Sequence, residues 1–74
     1  MADLDLDDAR RIASDPRVVA ALQAWNATGL NAATGRGHGV HRNELAAQRA
    51  AREAGMPVGF YLHADGRITP RRGW

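Results

Sequence analysis

Seventy-four residues without a cysteine allow one small domain, and they exclude disulfide scaffolds, thiolate metal sites and thiol nucleophiles. Hydrophobic residues make up 45% of the chain, but fifteen of them are alanines, so few large side chains remain to build a core and a partner is expected to add to stability. There is no basic stretch leading into an apolar run and no span of about 18 apolar residues, which points away from secretion and membranes and towards a cytoplasmic protein.

The net charge of +2 is unevenly spread. Residues 1–15 hold five Asp against two Arg, whereas residues 36–74 hold seven Arg against three acids. All ten basic residues are arginine, each a planar fork that grips phosphate or carboxylate in two places.

Asp3, Asp5, Asp7 and Asp8 precede Arg10 and Arg11, the order a helix dipole favours. A first helix is expected over residues 5–13, with Leu6, Ala9 and Ala13 on one face and Ile12 at its margin. Ser14-Asp15-Pro16 reads as a break and restart, a capping side chain followed by proline at the first helical position. Val18, Leu22 and Trp25 recur at i, i+4 and i+7 with Ala21 beside them, which predicts a second helix over residues 16–27, ended by a glycine cap at Thr28-Gly29.

Residues 28–42 are expected to form a Gly-rich loop, interrupted by Gly29, Gly35, Gly37 and Gly39, with room for a short turn around Leu30 to Ala33. A third helix is expected over residues 43–54, capped by Asn43. Its alanines at 46, 47, 50, 51 and 54 form a packing face, opposite Arg42, Leu45, Arg49 and Arg52. Gly55 ends that helix and Pro57 blocks its continuation.

From residue 58 the period changes. Val58, Phe60 and Leu62 alternate with other residues, Asp65-Gly66 supplies a turn and Ile68 returns, so a β-hairpin is expected over residues 58–69, stopped by Pro70 and followed by a basic tail at 70–74. The fold class expected is α+β: a single domain over residues 1–74, with three helices followed by a C-terminal β-hairpin.

The candidate contact residues are Arg36, Arg42, Arg49, Arg52, Arg67, Arg71, Arg72 and Trp74. Arginines on one helix face followed by a basic hairpin suit the tracking of phosphates, and a terminal tryptophan suits base stacking or an interface anchor. The plainer reading is a solvated face with Arg49 and Glu53 paired at i, i+4.

Three helices followed by a hairpin is also the element order of winged-helix domains, although residues 28–42 are longer than the tight turn of a helix-turn-helix. Tyr61, Gly66, Ile68, Pro70 and Arg72 resemble the aromatic, Gly, aliphatic, Pro, Arg run that follows the recognition helix of MerR-type regulators; the resemblance is confined to Tyr61 through Arg72 and implies a basic wing.

Other chemistry is thinly represented. His38 and His41 with His63 and Asp65 fall short of the usual thiolate-rich zinc set of a small domain. Thr34 through Gly39 lacks the Lys and Ser/Thr of a phosphate-binding loop. Asp7-Asp8 is explained by a helix start, and no nucleophile, base and acid are set in register. The expectation is a non-enzymatic binding protein that needs no cofactor or metal and contacts nucleic acid through the third helix and hairpin. The alternative is a protein-interaction module, such as an accessory subunit or a small inhibitor encoded by a mobile element, which binds through the Gly-rich loop and tail. Self-association of the acidic start with the basic end is a third arrangement.

Overall fold

A computed structural model describes residues 4–31 and 40–71. Its elements are α1 (Leu6–Ala13), α2 (Pro16–Asn31), α3 (Val40–Glu53), β1 (Phe60–Leu62) and β2 (Ile68–Pro70). The two strands pair antiparallel, with Phe60 opposite Pro70, Tyr61 opposite Thr69 and Leu62 opposite Ile68. The expected α+β order of three helices and a C-terminal hairpin is therefore the observed one.

The break between α1 and α2 forms as its residue types dictate. Ser14 N–H donates back to Arg10 and Arg11, and Asp15 then caps α2, its Oδ1 accepting the Arg17 backbone N–H at 2.9 Å. The Arg17 guanidinium grips the same carboxylate at 3.1 and 3.2 Å, and these side-chain and backbone bonds hold the Asp15 carboxyl below its ordinary pKa.

α2 and α3 run antiparallel. Asn43 Nδ2 donates to the Ala24 carbonyl at 3.4 Å near one end, and Arg17 lies 3.9 Å from Glu53 near the other. Both boundaries at the expected loop differ from the sequence reading: α2 continues through Gly29 to Asn31, and α3 begins at Val40. Gly29 is therefore not a cap, residues 28–31 and 40–42 are helical, and the expected turn near Leu30 begins as helix. Asn43 is inside α3, where its side chain ties the two helices together. Residues 32–39, including the rest of the Gly-rich loop with Arg36 and His38, lie outside the described residues.

The buried cluster is Ile12, Val18, Ala47, Ala50, Ala51, Met56 and Leu62, ringed by Leu4, Ala21, Leu22, Trp25, Ala54, Phe60 and Ile68. The α2 stripe and most of the α3 alanines face this core as expected, but Ala46 is exposed. The α1 face is rotated from its expected position. Ile12 is fully buried at the centre of the core, while Leu6 is 65% exposed.

Gly55, with φ of +119°, ends α3. Met56 N–H donates to Ala51 at 2.8 Å and Gly55 N–H to Arg52 at 3.0 Å, the paired bonds of a Schellman motif. The turn that follows leaves Val58 exposed before the first strand, so the hairpin's inward alternation begins at Phe60 and Met56 fills the core position instead. At the other end, Gly66 N–H donates to the His63 carbonyl at 2.9 Å, and within residues 63–67 the positive φ is at Gly66 alone. Asp65-Gly66 thus forms the second half of a β-turn with Gly66 at a bulge position, and not the two central residues of a two-residue hairpin loop. Pro70 is the last residue of β2, inside the strand. Asn26 Nδ2 fastens the turn to α2 by donating to the Ala64 carbonyl at 2.8 Å.

Candidate basic contact surface

Arg42, Leu45, Arg49 and Arg52 recur at three- and four-residue steps on α3, so all four project from the side opposite the buried alanines, and all four are exposed. Leu45 is 51% exposed. A depression of about 520 Å³ is lined by Leu45, Gln48, Arg49, Arg52, Glu53 and Arg71. A second, of about 360 Å³, adjoins it through Leu45 and Arg49 and reaches His41, Arg42 and Ala46. The result is a shallow basic trough along α3 with Arg71, from the end of the hairpin, on its rim.

The two acids of α3 are engaged elsewhere than with its arginines, although Glu53 itself lines the trough. The Tyr61 hydroxyl donates to Glu44, and His41 Nδ1 lies 3.8 Å from the same carboxylate. Glu53 faces Arg17 on α2, not Arg49, so the expected i, i+4 pair with Arg49 does not form. The side chains of Arg42, Arg49 and Arg52 have no hydrogen-bond or ion-pair partner among the described residues.

Arg71 is positioned by Tyr61. Its guanidinium carbon lies 5.2 Å from the centre of the Tyr61 ring, within cation–π range. Tyr61 also meets the His63 ring edge-to-face, with centroids 5.0 Å apart, and His63 Nε2 is 2.7 Å from Thr69 Oγ1. Tyr61 and Glu44 are seventeen residues apart, and neither has a local pattern that marks it as an organiser of this surface.

The eight residues singled out in the sequence do not form one site. Arg42, Arg49, Arg52 and Arg71 come together. Arg67 does not: it lines a different groove with α1, and its Nε binds Asp65 Oδ2 at 2.8 Å. Arg36, Arg72 and Trp74 lie outside the described residues. His41 and His63 belong to separate contacts, and no group of three His, Cys, Asp or Glu side chains suited to a metal occurs among the described residues. No described helix is long and apolar enough to cross a membrane. Comparison with protein-family models, with curated proteins and with solved structures gives no match for this chain.

Proposed function

We propose that this chain is a small, non-enzymatic, cytoplasmic binding protein whose α3 trough contacts the phosphates of a nucleic acid. The observation that supports the reading is that the Glu44 carboxylate is taken by the Tyr61 hydroxyl and Glu53, which lines the trough, lies nearest Arg17, so that among the described residues no carboxylate pairs with the side chains of Arg42, Arg49 or Arg52. From Arg42 to Arg52 the helix rises about 15 Å, comparable with about four nucleotides of one strand at 3.4 Å each. Three arginines along that length, with Arg71 on the rim, present several cations to one strand's phosphates.

The half-exposed Leu45 among these cations favours a second reading, in which the trough receives an acidic segment of a protein that also presents an apolar side chain.

Binding of a labelled duplex and a labelled single strand across a salt series separates the two. The nucleic-acid reading expects affinity to fall steeply with salt, and the Arg42/Arg49/Arg52→Gln variant to flatten the logarithmic slope by about 0.9 per lost duplex contact or about 0.7 per single-strand contact. Arg67→Gln, on the other groove, leaves that slope unchanged. Absence of binding at low salt, or an unchanged slope in the triple variant, overturns the reading. Loss of affinity for an acidic peptide on Leu45→Ala would then support the second.

A further inference from the structure

A second groove, of about 400 Å³, runs between α1 and the hairpin turn. Leu6, Ala9, Arg10 and Ala13 form one wall, and Gly66 to Thr69 with Asp65 form the other. Leu6 stands 65% exposed beside it, an apolar side chain that the fold leaves in water although the core is short of large residues.

The charges beside this groove are sorted. On α1 the acids come first and the arginines last. Asp8 and Arg11 are already engaged: Arg11 Nη2 lies 3.3 Å from Asp8 Oδ1, and Arg11 Nη1 donates to the Ala54 carbonyl at the end of α3. The side chains of Asp7 and Arg10 are exposed and have no hydrogen-bond or ion-pair partner among the described residues. One acid and one base, three residues apart on an exposed helix flank beside an apolar groove, are self-complementary under a twofold axis.

We propose that this groove is the contact between two copies of the chain, with α1 of one lying antiparallel against α1 of the other. When Asp7 is set level with Arg10 of the second copy, Leu6 falls between Ala9 and Ala13 of that copy, where small side chains leave room for it. The twofold axis repeats both contacts, so two Asp7–Arg10 pairs flank two seated leucines. A parallel arrangement would bring acid against acid and base against base. The contact uses α1 and not the α3 trough, so it stands whether or not the protein binds nucleic acid.

Sedimentation of the full chain over a concentration range, without nucleic acid, tests the assignment. Wild type is expected to associate to a dimer, and Leu6→Glu to remain monomeric. Asp7→Arg and Arg10→Asp should each weaken self-association by at least about tenfold, because each places two like-charged pairs in the contact. The decisive arm is their equimolar mixture: Asp7→Arg presents two arginines and Arg10→Asp two aspartates, so the mixed dimer regains both ion pairs and associates more tightly than either variant alone.

A mixture no better than its components overturns the proposal, as does a wild type that stays monomeric at its solubility limit. Because the chain has no cysteine of its own, oxidative crosslinking supplies a readout independent of charge reversal. Ala9→Cys, near the proposed axis, should crosslink into a dimer faster than Val58→Cys, which is 87% exposed but does not line the groove. Equal rates at the two positions count against the contact.

Discussion

Gln48 and Leu62 exchange two hydrogen bonds in the interior of the protein. Gln48 Nε2 donates to the Leu62 carbonyl at 2.7 Å, and Leu62 N–H donates to Gln48 Oε1 at 2.8 Å. Gln48 is only 7% exposed and Leu62 fully buried, so this one amide satisfies both main-chain groups at a position where water has little access.

Removal of that amide strips a donor and an acceptor together. Gln48→Leu is expected to lower the free energy of unfolding by about 2–4 kcal/mol, because each orphaned buried group costs about 1–3 kcal/mol. Urea denaturation measures it, and a loss well under 1 kcal/mol would mean that water reaches Leu62. Gln48→Glu adds a sign. Only the protonated carboxyl can donate to the Leu62 carbonyl, so its folded pKa is raised and the variant is most stable at acidic pH, losing stability as pH rises through the folded value.

Tyr61 carries the clearest titration signature. Burial, then the hydrogen bond to the Glu44 carboxylate and its negative charge, push the phenol up to about 12 against an ordinary 10.0, with Arg71 opposing the shift. The neutral phenol is the form the fold favours. Its contribution is complete below pH 10.0 and is lost as pH rises from there through about 12. Ultraviolet absorbance of the phenolate should show a midpoint near the upper value in the folded protein, and Glu44→Gln should lower it. A wild-type midpoint at the ordinary value would contradict the contact.

Gly55 tests the end of α3. A Cβ built there meets only Arg11 guanidinium nitrogens, at 3.6 and 3.8 Å, so space is not the obstacle. The obstacle is φ of +119°, and Gly55→Ala should cost about 1 kcal/mol or slightly more in thermal or urea unfolding. No measurable cost would show that α3 can end without the left-handed residue.

The element order and most of the core were legible because they rest on strong local signals: the i, i+4, i+7 stripe from Val18 to Trp25, proline after a capping Asp15, glycine after the alanine face. The misreadings occur where tertiary contact outweighs a weak local preference. Gly29 inside α2 costs about 1 kcal/mol relative to alanine, and Thr28 turns its hydroxyl back to the Trp25 carbonyl at 2.7 Å instead of ending the helix. Asn43 looked like a cap because its type favours one, yet its amide reaches across to Ala24. α1 has eight residues, too few for periodicity to fix which face turns inward, and the core takes Ile12 over Leu6.

The candidate surface was half legible for a related reason. Positions 42, 49 and 52 share a face by helical spacing alone, so their grouping needed no fold. Arg67 and Arg71 are four residues apart in sequence, but β2 lies between them, and one side is delivered to α1 while the other is delivered to α3. Which partners the acids take depends on the long-range contact of Glu44 with Tyr61 and on Arg17 reaching Glu53.

The Gln48 amide also determines how far the sheet can grow. In an antiparallel pair alternate residues turn their main-chain groups outward, and a two-stranded hairpin would ordinarily offer both outer edges to a passing extended chain. On β1 the outward groups of Leu62 are already occupied by a side chain from α3, which fills the place of a third strand. On β2 the outward position opposite Phe60 is Pro70, which has no N–H to give. Strand addition is therefore obstructed on both flanks, which protects so small a hairpin from edge-to-edge aggregation and leaves recognition to its side chains.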